Sequence, residues 1–251
     1  MPEVALFQPE RLHPRGGGLP LRVARVIAQR ILAGTYPADQ TIPVESVLAE
    51  EFGVSRSALR EAIKLLAAKG LLATRPRLGT QVRPEAEWSH LDPDVLAWRA
   101  ELGVEEDFAR HLAEVRRLIE SEAAALAAER ASPEQRHLIL GAVAQMERAS
   151  SLEQQVAADL AFHRHILEAA ANPLLRSLGS AIWGALAQSF AASIRDLDSW
   201  KDALQRHQRV ADAIAQADAP EARDAMLDII ARHAEEAAGT ATSSREGDKP
   251  R

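Results

Sequence analysis

A mainly α chain in two parts is what the sequence predicts, and three observations carry that reading. Apolar residues recur at intervals of three and four along most of the length, the spacing of amphipathic helices. The composition is 47% hydrophobic but only 4% aromatic, which suits helices packed through small residues better than a sheet. The charge is lopsided. Residues 1–86 carry 12 Lys/Arg against 8 Asp/Glu and the remainder 18 against 28, so a basic head precedes an acidic body within a net charge of −6. Such a split fits a head that binds a polyanion on a body with another task.

Several classes are excluded at once. No window approaches the roughly 18 uninterrupted apolar residues of a membrane span. Residues 1–18 hold prolines, charges and three consecutive glycines where a signal peptide needs an apolar core, and they are expected to form a disordered tail. With no cysteine there is no disulfide framework, thiolate metal site or thiol nucleophile. A cytoplasmic protein with no membrane partner is the expectation.

Along the head, Leu21, Ala24, Ile27, Ala28 and Ile31 mark a first helix that stops at Gly34. PADQTIP, residues 37–43, is a turn-rich connector to a short helix over 45–52 with Val47, Leu48 and Phe52 facing inward. Gly53 breaks it. In VSRSALREAIKLLAAKGLL, residues 54–72, Leu59, Ala62, Ile63, Leu66 and Ala67 form an apolar stripe. Ser55 can cap that third helix with its hydroxyl, and Gly70 stops it. LLATRPRLGTQV, residues 71–82, holds two β-capable runs around Arg75-Pro76-Arg77-Leu78-Gly79 and reads as a small hairpin. Three helices, a tight turn before the third and a basic hairpin are the order of a winged helix-turn-helix, expected over 19–84.

That order gives Arg56, Ser57 and Arg60 a task. They sit near the start of the third helix, away from its stripe, where arginines can bridge phosphates or read guanine and the helix dipole helps hold an anion. Arg75 and Arg77 would follow the neighbouring backbone or minor groove. The competing reading is a solvated face whose arginines pair with Glu51 or Glu61.

A linker over 85–104 carries its own anchors, Trp88, Leu91, Val95, Leu96 and Trp98, with Asp92-Pro93 opening a short helix. From 105 to 238 an all-α antiparallel bundle is expected, with helices over 106–130, 133–149, 152–171, 173–194, 200–217 and 219–238. The breaks at Ser132-Pro133, Ser150-Ser151, Asn172-Pro173, Asp198-Ser199 and Ala219-Pro220 carry cap or N1-proline chemistry. Short connections between such helices favour antiparallel neighbours. Residues 239–251 are polar and read as a disordered tail.

In AADLAFHRHILEAAANPLL, residues 157–175, Asp159 and His163 lie four apart on one helical face, a register that can share a divalent metal or simply form an ion pair. His207, at the edge of the stripe made by Val210, Ala211 and Ile214, is the candidate third ligand. His165 points away from His163, and His90, His111, His137 and His233 default to surface or structural roles.

The head is similar to the winged-helix domain of the GntR family of bacterial transcription regulators, through IPVESVLAEEFGVSRSALREAIKLLAAKGLL and LGTQV. The body resembles the all-helical FCD ligand-binding domain of its FadR subfamily, through EVRRLIESEAAALAAERAS (114–132), DLAFHRHILEAAANPLL (159–175) and LQRHQRVADAIAQADAPEARDAML (204–227). WSHLDPDVLAW in the linker places the likeness nearest the galactonate-operon repressor branch. The resemblance covers residues 19–238. It implies DNA contacts from Ser55, Arg56, Ser57, Arg60, Arg75, Arg77 and Gly79, with Ser46 standing where many relatives have arginine. It also implies an effector site of one Asp and three His around a divalent metal of the zinc, nickel or manganese class. Asp159, His163 and His207 match three of these, while Ile229 falls at the fourth and cannot bind metal, and His233, one turn later, could substitute only if the helix were shifted. Arg116, in the EVR motif, would pair with an effector carboxylate.

The expected protein is therefore a homodimeric DNA-binding repressor of sugar-acid catabolic genes. Its partners would be an inverted-repeat duplex operator and a small carboxylate such as a sugar acid. A metal-dependent hydrolase or isomerase with an accessory head, or a direct sensor of the metal, is the alternative. The first lacks a positioned base, for which Glu120 and Glu168 are the candidates.

Overall fold

The computed structural model describes residues 18–76, 78–102, 106–182 and 197–246. The chain divides into two units, Met1–Leu102 and Gly103–Arg251. The mainly α expectation holds, with one small two-stranded sheet among the described residues.

The first unit runs α1 (Leu19–Leu32), α2 (Glu45–Glu51), α3 (Arg56–Ala68), β1 (Leu72–Arg75), β2 (Gly79–Val82), a 3-10 turn (Glu85–Glu87) and α4 (Pro93–Glu101). Its core is the meeting of two stripes: Val23, Ala24, Ile27 and Ile31 of α1 lie against Leu59, Ala62, Ile63 and Leu66 of α3. Leu48 and Phe52 close it from α2, and Leu71, Leu72 and Val82 from the hairpin. Val47 is 51% exposed, so the inward placement expected for it is corrected. A seven-residue helix buries a single narrow stripe, and Leu48 with Phe52, four apart, already fill it.

The hairpin is antiparallel, with Leu72 opposite Val82 and Arg75 opposite Gly79. The connector before α2 pairs along its outer edge: Ile42 N donates to Thr80 O at 2.9 Å and Val82 N to Gln40 O at 2.9 Å. These bonds fix the wing to the body of the unit.

At the far end of α3, Gly70 has φ +76, and a Cβ there would collide with the carbonyl of Glu87. Only glycine permits this close passage. It brings the linker against the helix end, where Ser89 N donates to Lys69 O at 3.0 Å. Lys69 Nζ lies 2.7 Å from both Asp92 Oδ1 and Asp94 Oδ2, and 5.6 Å from the Trp98 ring centroid. Asp92 also caps α4 by accepting from Asp94 N and Val95 N. Val95 and Trp98 join the core of this unit. Leu91 is 46% exposed and is no anchor, because it precedes the cap and no helix turns it inward.

The second unit holds α5 (Glu106–Arg130), α6 (Pro133–Arg148), α7 (Leu152–Ala169), α8 (helical over 173–182), α9 (Leu197–Ala215) and α10 (Ala219–Glu246). Ser132 and Gln135 form a reciprocal capping box at α6, and Ser151 caps α7. The helices pack α5 on α10 and α7, α6 on α7 and α9, and α9 on α10. Ala123, Ala124, Ala127 and Ala128 are fully buried along α5. Methyl-sized side chains let helix backbones approach closely, which is what the scarcity of aromatics foretold. Phe162, Ile166, Met146 and Ile139 fill the centre.

The last helix continues to Glu246, past the tail boundary placed at 239. Gly239 alone costs only about 1 kcal/mol in a helix, and no proline intervenes before Pro250 to stop propagation. Residues 1–17, Arg77 and the end of the helix expected over 173–194 lie outside the described residues. No described helix is long and apolar enough to cross a membrane.

Candidate nucleic-acid surface and buried polar site

The start of α3 presents the residues singled out by the sequence. Ser55 caps it, its Oγ accepting from Ala58 N at 3.2 Å, which leaves Arg56 and Ser57 in the first turn. Ser55, Arg56, Ser57 and Arg60 are all exposed, as is Ser46 on α2. Arg60 Nε bonds Glu45 Oε2 at 2.8 Å, with 64% of the Arg60 side chain in solvent. The acids suggested as alternative partners are otherwise engaged, Glu51 with Arg30 at 2.6 Å and Glu61 with Lys64 at 2.8 Å. Arg75 is exposed at the end of β1, opposite Gly79. Gly79 has φ +88, and a Cβ on it would sit 3.2 Å from Thr41 Cγ2. Arg77 lies outside the described residues. An exposed basic helix start, with an exposed arginine on the hairpin, can meet phosphates and base edges of a duplex.

The second unit contains a buried polar site assembled from several helices. Asp159 and His163 come from α7, His207 from α9, and Arg116 with Glu120 from α5; all five are buried. Asp159 Oδ1 lies 2.9 Å from His207 Nε2 and 4.0 Å from His163 Nε2. One ligand atom from each of these three residues falls within 4.8 Å of the others. Phe162 sets its ring edge-on to both imidazoles, 5.5 Å from His163 and 4.9 Å from His207 between centroids.

A hydrogen bond fixes the tautomer of His207. His207 Nδ1 lies 2.7 Å from Ala203 O, so that nitrogen carries the proton and donates it. In the neutral ring Nε2 is then a lone pair, and it faces an Asp159 oxygen, another acceptor. His163 Nδ1 lies within ion-pair distance of Glu120 Oε2, at 2.9 Å, and its Nε2 lies on the Asp159 side. Two imidazole nitrogens and a carboxylate face one another, and Asp159 Oδ2 has no hydrogen-bond partner among the described residues. Buried acceptors do not crowd together unless a cation or a proton joins them. The donor set, two imidazole nitrogens and a carboxylate oxygen, suits a divalent ion of the zinc, nickel or manganese class.

The acids stay ionised despite burial. Desolvation works to raise the Asp159 carboxyl, but its contacts with His207 and His163 hold it well below the usual carboxylate range. Burial raises Glu120 in the same way, and Arg116 and His163 more than offset it.

Arg116 is held on both sides. Its Nε donates to Glu120 Oε1 at 2.8 Å and its Nη2 to Glu120 Oε2 at 3.3 Å. Its Nη1 lies 3.3 Å from His233 Nδ1 on α10, and because guanidinium only donates, that nitrogen accepts. Burial and the adjacent Arg116 charge push the His233 imidazole down to about 3, so it is neutral at neutral pH.

Sequence reasoning brought together Arg116, Asp159, His163 and His207, but named Glu120 only as a candidate base for the enzyme alternative and His233 only as a stand-in for the fourth ligand. The Arg116–Glu120 spacing of four was a signal, disguised as ordinary helix pairing. His233 stands one turn beyond Ile229, which is 1% exposed among apolar neighbours. His165 pairs with Glu168 at 3.4 Å, apart from the site.

Comparison with known proteins agrees with both units. Residues 19–82 match the family described as bacterial regulatory proteins, gntR family, and residues 111–232 match the FCD domain. The chain is 38% identical over 202 residues to the uncharacterized HTH-type transcriptional regulator YieP of Escherichia coli (strain K12), covering 78% of this chain and 85% of that one. It is 32% identical over 213 residues to the galactonate operon transcriptional repressor of the same organism, covering 84% and 93%. A solved structure of Lar, which controls the agr system of Listeria monocytogenes, superposes with a TM-score of 0.65 at 20% identity over 89% of this chain and 98% of that one, a likeness of fold.

Proposed function

The chain belongs to the gntR family of bacterial regulatory proteins, with an FCD domain, and is a transcriptional regulator rather than an enzyme; on that premise we propose that it represses sugar-acid or hydroxy-acid catabolic genes and is released from DNA by a small carboxylate. The observation that carries this reading is the buried convergence of Asp159, His163 and His207 beside the guanidinium of Arg116. The galactonate operon repressor, 32% identical over 84% of this chain, supports the choice of effector class.

In this reading Arg56 and Arg60, with Ser55, Ser57 and Ser46 beside them, meet the major groove, and Arg75, Arg77 and Gly79 of the wing follow the adjacent backbone. Two copies related by a twofold would read an inverted repeat with one set of residues. Asp159, His163 and His207 hold a divalent ion, which supplies open coordination positions for a carboxylate and a hydroxyl. Arg116 pairs with the carboxylate. An aldonate offers both groups on adjacent carbons, a good match to a cation beside an arginine.

Effector binding acts on DNA only through its unequal affinity for the DNA-competent and released states. A tenfold to hundredfold difference corresponds to about 1–3 kcal/mol.

The test is a fluorescence-anisotropy titration of the full-length protein on a duplex selected for binding, with aldonates, uronates and short hydroxy acids, each with and without Zn²⁺ or Ni²⁺. A sugar acid that weakens DNA affinity only when metal is present is the expected result. A metal that changes affinity without any organic acid would make the protein a metal sensor and end the effector reading. No response to any acid under any metal condition would end it too.

A further inference from the structure

Glu120 is a buried carboxyl group at the polar site for which the proposed function gives no task. It is 4% exposed and touches two elements at once: both its oxygens engage Arg116 on its own helix, and Oε2 also lies 2.9 Å from His163 Nδ1 on α7. An ion pair that serves only to stabilise α5 does not need this third contact. Nor is burial a cheap place for such a pair, because removing two charges from water costs several kcal/mol before their attraction returns it.

We infer that Glu120 is a positioning residue that orients His163 toward Asp159 and ties that histidine to Arg116. The assignment rests on the reading of Asp159, His163 and His207 as a metal site. The two histidines are handled in parallel. Each has an acceptor behind its Nδ1, the Ala203 carbonyl for His207 and the Glu120 carboxylate for His163, and each thereby turns Nε2 toward Asp159. A carboxylate behind an imidazole fixes the ring's tautomer and angle and makes the opposite nitrogen a stronger donor to a cation. A carbonyl fixes the angle with less effect on basicity.

The same carboxylate links this histidine to the proposed effector contact. Arg116 is oriented by Glu120 on one side and by the neutral His233 on the other. One acid thus sets two groups on two helices.

The experiment uses the full-length protein, stripped with a chelator, and Zn²⁺ alone as probe, in competition with a chromophoric chelator. Glu120→Ala should weaken Zn²⁺ binding about 10–100-fold, the usual cost of losing an outer partner of a ligating histidine. Glu120→Gln keeps the size and one accepting oxygen and should recover part of that loss. Glu120→Asp keeps the charge on a shorter arm and should behave more like alanine than like wild type. Thermal melting of the metal-free proteins is recorded alongside. If Glu120→Ala does not fold, the glutamine and aspartate variants carry the test.

Variants that melt lower but bind Zn²⁺ as wild type does would overturn the inference and leave the metal site standing. Wild-type affinity in Glu120→Asp would also overturn it, since charge without reach would then suffice. A wild-type protein that takes up no zinc would remove both the site and its positioning residue.

Discussion

Replacing Arg60 by alanine separates the cost to the fold from the cost to DNA binding. The side chain is 64% exposed and pairs with Glu45, itself on the surface. Exposed ion pairs contribute about 0.2–1 kcal/mol, so the melting temperature should move little. On DNA the arithmetic differs. A guanidinium that reads guanine contributes about 1–3 kcal/mol of discrimination per site. A twofold dimer of the kind proposed would give up this interaction in both half-sites, a penalty of about 2–6 kcal/mol, or roughly thirtyfold to more than ten-thousandfold in affinity. If Arg60 meets phosphate instead, the salt dependence of binding should flatten by about one unit of slope for each phosphate no longer neutralised. Fluorescence anisotropy at several salt concentrations distinguishes the two, with thermal melting as the fold control. Glu45→Gln supplies the converse: it frees Arg60 and removes a negative charge beside the duplex, and affinity should rise by a few-fold. An Arg60→Ala protein with wild-type affinity and an unaltered salt slope would refute the assignment of α3 as the reading helix.

Other outcomes follow from features already described. His207→Ala should leave operator binding in place and blunt its release by an aldonate; anisotropy with and without ligand reads this, and full release would contradict the proposed pocket. Phe162→Ala removes a fully buried ring that supports two imidazoles, and should cost about 3–5 kcal/mol in denaturant unfolding. Gly70→Ala should destabilise by about 2 kcal/mol or more, since alanine disfavours that φ and its methyl meets the Glu87 carbonyl; a neutral result by thermal melting would show that the linker yields there.

Much of the fold was legible because its signals are local. Ser55, Ser132, Ser151 and Asp92 cap the helices they precede, and Gly34, Gly53 and Gly70 take the positive φ that ends the preceding helix. Val47 was misplaced because two turns of helix do not define a stripe, and Leu91 because an apolar residue in a loop has no periodicity to orient it. At the buried site, Asp159 and His163 announce themselves by their spacing, and His207 by its place beside an apolar stripe. Glu120 entered only as a candidate base, and its tie to His163 stayed hidden, because an Arg–Glu pair four apart is what solvated helices ordinarily carry. Only the packing of α7 against α5 shows that this pair faces inward. The tie of His233 to Arg116 stayed hidden for the same reason, since the two are 117 positions apart and the packing of α10 on α5 joins them.

The clamp of Lys69 on Asp92 and Asp94, together with Val95 and Trp98 in the core, bears on where the reading head can be cut. A fragment ended at the hairpin would bare the surface that Val95 and Trp98 cover. Burying side chains of this size contributes about 1.5–3 kcal/mol each, comparable to much of a small domain's margin. A chimera that grafts this head onto another sensor should therefore splice after Leu102, carrying α4 as part of the transplanted piece.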